Sequence, residues 1–98
     1  MSDKPWPPKG AVHRVVTIVN QKGLHARAAA AFAKTAGRYK AAVLVRRGEH
    51  TVSGLSIMGL MMLAAAPGTE IEIAATGADA EAAVAALENL VALRFGED

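Results

Sequence analysis

Hydrophobic positions change their spacing along the chain, and each change predicts a new element. Residues 11–19 are rich in β-branched side chains, which predicts a first strand that is apolar on both faces. From Ala26 to about Gly37 the apolar positions recur at helical spacing in an alanine-rich sequence, which predicts a first helix. Its predicted core face comprises Ala29, Phe32, Ala33 and Ala36.

The middle of the chain predicts a hairpin followed by a short helix. Residues 41–46 and 50–53 are two short strand-like runs, and the turn between them contains a glycine. Ser56 is a good N-cap for an apolar helix that extends to about Ala65, where Pro67 and Gly68 end it.

The last third of the chain predicts one more strand and one more helix. Apolar and acidic residues alternate in 69–76, which indicates a half-buried strand. Residues 79–95 then show a helical apolar stripe. The stripe comprises Val84, Leu87, Val91 and Phe95 and is widened by Ala83 and Leu90. The predicted order is β-α-β-β-α-β-α, which fits one sheet with helices on one face, and the pattern alone also allows a ferredoxin-like arrangement.

Composition divides the chain into a tail and one domain. The chain has 98 residues, of which 52% are hydrophobic, so it suits a single domain with a real core. Three of the four prolines and the only tryptophan lie in residues 1–10, which predicts a flexible, proline-rich tail before a domain at 11–98. We expect Trp6 to be a mobile tail residue rather than one that docks on the domain.

Charge and cysteine content exclude several classes of function. The net charge of +2 comes from scattered residues, so nucleic-acid binding is a distant alternative. The chain has no cysteine, and its N-terminus lacks the apolar core of a signal peptide, which fits a cytoplasmic protein. No short ligand spacing links His13, His25 and His50, so we predict neither a metal site nor a cofactor.

The candidate chemistry lies at the start of the first predicted helix, in the stretch NQKGLHARAAAA from Asn20 to Ala31. His25 is placed where backbone N–H groups lack intrahelical partners and the helix dipole favours an anion. Arg27 adds a planar fork of donors that suits phosphate. Neutral imidazole is a competent nucleophile near neutral pH, so His25 is a candidate phosphoryl acceptor. The alternative is a histidine that only caps the helix.

Two runs resemble the histidine-containing phosphocarrier protein (HPr) family of the phosphoenolpyruvate-dependent phosphotransferase system. VNQKGLHARAA resembles its active-site signature, and SGLSIMGLMML, at Ser53 to Leu63, resembles its regulatory-serine segment. The resemblance covers about residues 11–95. It implies an α+β, open-faced β-sandwich in which a four-stranded antiparallel sheet carries three helices on one face.

The resemblance also implies roles for individual residues. His25 would accept a phosphoryl group on Nδ1 from enzyme I and pass it to an enzyme II A component in sugar transport or regulation, and Arg27 would stabilise that group. Ser56 would be the target of an HPr kinase/phosphorylase. The partner-binding residues would be Ile57, Met58 and Met61. The protein would then be a phosphoryl carrier rather than an enzyme, and we expect a monomer that exposes its site to successive partners.

Several alternatives stay open at the level of sequence. Ala28 stands where the family usually has proline, which puts the rate of transfer and the choice of partner in doubt but not the fold. Ser56 also suits a plain N-cap. We expect Leu60 and Leu63 to pack in the core. A non-catalytic α+β module that binds partners through Met58 and Met61 is the competing function.

Overall fold

The computed structural model describes residues 5–97 and contains the seven predicted elements in the predicted order. Their bounds differ from the predicted ones by a residue or two at most ends. None of the helices within residues 5–97 has the length and hydropathy to cross a membrane. The elements are β1 (Val12–Thr17), α1 (Ala26–Ala36), β2 (Ala42–Arg47), β3 (His50–Ser53), α2 (Ile57–Met62), β4 (Glu70–Thr76) and α3 (Ala80–Ala92), followed by a 3-10 turn (Arg94–Gly96).

The four strands form one antiparallel sheet in the order β1-β4-β2-β3. Strand β1 therefore lies at an edge and pairs with β4 alone, whereas a ferredoxin-like arrangement would place it between two strands. The predicted four-stranded antiparallel sheet is confirmed, and the ferredoxin-like alternative is not what the chain adopts.

The core lies between one face of the sheet and the helices. Val43 and Val45 of β2 and Ile71 and Ile73 of β4 are buried, as the two-residue period of a strand requires for side chains on one face. Phe32 of α1 is fully buried among them, so its truncation to alanine would cost about 3–5 kcal/mol. On α1 the predicted core face is confirmed except at Ala33, which is half-buried, while Ala28 is fully buried instead.

The last helix is shorter than predicted. It ends at Ala92 rather than Phe95, because Arg94 and Phe95 adopt left-handed φ values of 58° and 56° that cannot continue a right-handed helix. The turn keeps Phe95 buried, so the predicted apolar stripe is confirmed although its last member is outside the helix. It also redirects the chain and brings Glu97 back towards the start of α1.

Trp6 contacts the sheet rather than being free, which differs from our expectation. Its indole N–H donates to Glu72 Oε1 at 2.8 Å, and its ring meets that of His13 edge-on at 6.1 Å between centroids. The guanidinium of Arg46 lies 5.3 Å from the centroid of the indole. Trp6 thus contacts residues of β1, β4 and β2. Residues 1–4 of the predicted tail lie outside the described residues.

Candidate functional site

A tight loop carries the chain from β1 to α1. Gly23 has a φ of +65°, and a Cβ at this position would clash with the carbonyl oxygen of Ala65 and lie 3.1 Å from Ala66 Cα. The backbone N–H of Leu24 donates to that same carbonyl at 2.9 Å. The loop is therefore pressed against the segment that follows α2, and only glycine permits both the backbone conformation and the close approach.

His25 is the N-cap residue of α1. Its backbone carbonyl accepts the first helical hydrogen bond, from Ala29 at 2.8 Å, but its side chain makes no capping hydrogen bond. The imidazole is thus available for other contacts, and the alternative role as a side-chain cap has no support. Arg27 and Ala28 follow in the first turn, where backbone N–H groups lack intrahelical partners.

The imidazole of His25 pairs with a carboxylate that the sequence did not indicate. His25 Nε2 lies 2.6 Å from Glu97 Oε2. An ionised carboxylate only accepts hydrogen bonds, so Nε2 carries the proton and donates it. The other ring nitrogen, Nδ1, then keeps its lone pair. The pair thus selects the tautomer in which Nδ1 can act as a nucleophile.

Asn20 holds the same carboxylate from the other side. Its Nδ2 donates to Glu97 Oε1 at 3.0 Å and to the carbonyl of Gly23 at 2.7 Å. Burial opposes ionisation of Glu97, but the hydrogen bonds from Asn20 and His25 and the nearby charge of Arg27 outweigh it, so the pKa of Glu97 is lowered. Glu97 is therefore ionised at neutral pH and can pair with the imidazole.

An open cleft surrounds this pair, and among the residues that the structure describes it contains more cationic than acidic side chains. Arg27 is exposed at its rim, as is Lys22, whereas Glu97 is the single carboxylate of the cleft among residues 5–97. These cations lie beside the positive end of the α1 dipole, so the cleft favours an anion. The structure brings the predicted residues His25 and Arg27 together here. The cleft is lined by Gln21, Lys22, His25, Arg27, Phe95, Gly96 and Glu97.

Ser56 caps α2 as predicted. Its Oγ accepts a hydrogen bond from the backbone N–H of Gly59 at 2.9 Å. The side chain is half-buried, and it lies at the opposite end of α2 from the segment that contacts the His25 loop. The predicted N-cap is confirmed, and its modification stays a prediction.

The side chains of α2 divide into a buried set and an exposed set. Leu60 and Leu63 are buried, which confirms their predicted place in the core. Met58 is 70% exposed and Met62, which we did not single out, is 79% exposed. We call the exposed set the α2 patch; it comprises Leu55, Ile57, Met58, Met61 and Met62. Isolated exposed apolar residues are ordinary, but a contiguous set of this kind is typical of a protein-binding surface.

The three histidines do not converge. His13 contacts Glu72 on the sheet, His25 contacts Glu97 at the start of α1, and His50 is exposed at the start of β3. Within the part of the chain that the structure describes, no three metal-ligating side chains of His, Cys, Asp or Glu form a group.

Comparisons with known proteins identify the family of the chain. Residues 12–92 match the family model described as the PTS HPr component phosphorylation site. The chain belongs to the PTS HPr family of phosphocarrier proteins. The match includes His25, Arg27 and Ser56 and ends before Glu97, so the carboxylate partner of His25 lies outside the matched segment.

Individual relatives support the same assignment over most of the chain. The phosphocarrier protein HPr of Neisseria meningitidis is 50% identical over 82 residues, which are 84% of this chain and 92% of that protein. HPr of Pseudomonas aeruginosa is 48% identical over 83 residues, or 84% and 92% of the two chains. The crystal structure of HPr-C-His from Thermoanaerobacter tengcongensis superposes with a TM-score of 0.85 at 37% identity, covering 89% of this chain and 98% of that one.

Proposed function

We propose that this protein accepts a phosphoryl group on His25 Nδ1 from phosphorylated enzyme I, whose ultimate donor is phosphoenolpyruvate, and passes it to an enzyme II A component. The observation that carries the proposal is the pairing of His25 Nε2 with Glu97 at 2.6 Å. That pairing leaves Nδ1 as the nucleophilic nitrogen in a cleft that favours anions.

Acceptance needs no metal from this chain. The lone pair of Nδ1 attacks phosphorus, and the bond between phosphorus and the donor atom on enzyme I breaks as the new P–N bond forms. The proton on Nε2 stays in place, so the phosphorylated ring carries a positive charge that the adjacent Glu97 offsets. The guanidinium of Arg27 and the free N–H groups of the first turn of α1 stabilise the phosphoryl oxygens.

Donation is the same step in reverse. Because Nε2 keeps its proton, the ring departs as neutral imidazole rather than as the much more basic imidazolate anion, so the P–N bond breaks readily as a nucleophile on the acceptor attacks phosphorus. Each partner must dissociate after transfer, and contacts of modest area are typical of such encounters. We infer that the α2 patch, in particular Ile57, Met58 and Met61, supplies this contact as a monomer meets each partner in turn.

We propose further that phosphorylation of Ser56 by an HPr kinase/phosphorylase regulates these contacts. A phosphate on Ser56 would add a charge of about −2 next to Ile57 and Met58. Partners that bind the exposed apolar side chains would then have to desolvate a dianion. The expected effect is weaker binding of enzyme I and of acceptors, with no change at His25 itself.

A second candidate function is a module that binds partners without phosphoryl transfer. The exposure of Met58 and Met62 favours it, because methionine adapts to several surfaces. This function needs neither His25 nor Arg27, so it predicts that both can be replaced without effect.

The test is the intact mass of the protein after incubation with phosphoenolpyruvate, magnesium and enzyme I. We expect the parent and His13→Ala to gain one acid-labile phosphoryl group and His25→Ala to gain none. Addition of an enzyme II A component should then remove the group from the first two proteins. A phosphoryl group on His25→Ala, or none on the parent beside a control carrier that enzyme I phosphorylates, would contradict the proposal.

A further inference from the structure

Asn20 is the one buried polar or charged side chain among residues 5–97. An amide is costly to remove from water unless its polar atoms find partners. Asn20 is only partly satisfied, because its Oδ1 has no hydrogen-bond partner among the described residues. An apolar side chain of similar size would leave no such unpaired atom. Packing alone therefore does not account for an asparagine at this position.

The hydrogen bonds that the side-chain nitrogen of Asn20 donates explain why an asparagine lies at this position. Its two Nδ2 protons reach two acceptors, the carbonyl of Gly23 at 2.7 Å and Glu97 Oε1 at 3.0 Å. A flipped amide would place Oδ1 against both of these acceptors, so the pattern of partners determines its orientation. Asn20 thus joins the loop before α1 to the turn after α3.

Glu97 is held by one contact on each of its oxygens. Oε1 accepts from Asn20, and Oε2 accepts from His25 Nε2 at 2.6 Å. Rotation of the carboxylate about its last bond would break both hydrogen bonds. Asn20 therefore fixes the plane of the carboxylate that in turn orients the imidazole, as outer partners fix ligand histidines in metal sites.

We propose that Asn20 is a positioning residue for phosphoryl acceptance, which acts on His25 through Glu97. The proposal rests on the proposed function of His25. Asn20 is not expected to touch the phosphoryl group, because its side chain is fully buried. Its effect is to keep Glu97 on Nε2 and so to keep Nδ1 directed into the cleft.

A merely structural role through Gly23 is the competing explanation, and a double-mutant cycle separates the two. The variants are Asn20→Ala, Glu97→Ala and the combination. Two quantities are measured: the rate of phosphoryl acceptance from phosphorylated enzyme I, and the protected Nε2 proton of His25 in ¹⁵N-edited NMR of the unphosphorylated protein.

Each single variant should slow acceptance about tenfold and lose the protected Nε2 proton to exchange with water. Because Asn20 acts through Glu97, the double variant should be within about twofold of Glu97→Ala. Multiplied losses, about a hundredfold in the double variant, would overturn the proposal. So would a parental rate and an intact Nε2 proton in Asn20→Ala.

Asn20→Leu guards against the cavity that the alanine variant leaves. It keeps the size of the side chain but has no donor for Glu97 Oε1, so Glu97 should no longer be held and the protected proton should disappear while circular dichroism stays parental. A retained proton would contradict the proposal. The NMR signal of the Nε2 proton does not depend on enzyme I. If the parent fails to accept a phosphoryl group, the proposed function is refuted. The Nε2 signal in the Asn20 variants then still shows whether Asn20 holds Glu97 against His25.

Discussion

Two histidines in this protein make the same contact in different surroundings. His13 Nε2 lies 2.8 Å from Glu72 Oε1, and His25 Nε2 lies 2.6 Å from Glu97 Oε2. Their side chains are almost equally exposed, at 30% and 28%. A histidine–carboxylate pair with a reachable ring therefore does not by itself distinguish His25, the proposed acceptor, from His13.

The surroundings make the difference. His13 lies on a strand, and Trp6 shares its carboxylate partner and packs against its ring. His25 lies at the positive end of α1, beside the exposed cations of Lys22 and Arg27. Helix N–H groups and a guanidinium can stabilise the charge of a phosphoryl group, whereas the strand that carries His13 has only a small net dipole and no set of N–H groups that converge on one point. The first pair fastens the N-terminal segment to the sheet, and in the function that we propose the second prepares a nucleophile.

Removing the positive charge of Arg27 is the strongest test of this difference between the surroundings of His25 and His13. Arg27→Ala should lower the rate of phosphoryl acceptance about 10²–10³-fold, because a charged donor that stabilises the transition state is lost. The matched control is Arg14→Ala, next to His13, where the guanidinium lies 3.9 Å from Glu88. It should stay within about twofold of the parent, as exposed ion pairs contribute little. Equal rates for both variants in rapid-quench assays would place Arg27 outside the site.

Two glycines allow the loop before His25 to be compared with the turn between β2 and β3 by the effect of each on the free energy of unfolding. Gly23 and Gly48 have nearly equal left-handed φ values, +65° and +61°, but only Gly23 is pressed against another backbone segment. Gly48→Ala should cost about 1 kcal/mol from backbone strain alone, and Gly23→Ala about 2–4 kcal/mol because the loop must also move away from Ala65. Urea unfolding measures both. Equal losses would mean that the loop before His25 is not held by this contact.

The smallest expected effect is a pH-dependent change in the free energy of unfolding, and it concerns the contacts that His13 and Trp6 make with Glu72. The hydrogen bond from Trp6 lowers the pKa of Glu72 most, burial opposes it, and His13 and Arg46 lower it further. A lowered pKa stabilises the fold above the usual value of 4.5, and this contribution is lost as pH falls through the folded-state value. Trp6→Phe should cost about 0.5–1 kcal/mol near pH 7 and progressively less below about pH 4, with acceptance at His25 unchanged.

Thermal unfolding of Trp6→Phe and the parent across this pH range checks the prediction. A difference in stability that is constant down to about pH 2 would show that the indole acts by packing alone, without its hydrogen bond to Glu72.

Local patterns in the sequence predict most of the fold and half of the site. Hydrophobic spacing places the strands and helices, and the motif around His25 and Arg27 indicates the chemistry. Glu97 escapes such reasoning because it lies 72 residues from His25 and reaches it only through the left-handed turn at Arg94 and Phe95. The helical stripe continues through Phe95, so the periodicity hides the end of α3.

The contact of Trp6 is missed for a related reason. Proline content correctly argues against a helix at the N-terminus, but it carries no information about a hydrogen bond to Glu72, 66 residues away. The residues next to Asn20 in the sequence likewise predict only a polar turn, and the burial of Asn20 is visible only in the folded chain. Contacts of this range depend on the packing of whole elements, which local propensity does not encode.

The most direct test is ¹⁵N NMR of the protein after phosphorylation by enzyme I, with the ring nitrogens of His13 and His25 assigned. We predict a phosphorus–nitrogen coupling at His25 Nδ1, a proton retained on His25 Nε2, and an unchanged His13. A phosphoryl group on His25 Nε2 or on His13 would contradict the claim that Glu97 and the start of α1 together select the reacting nitrogen.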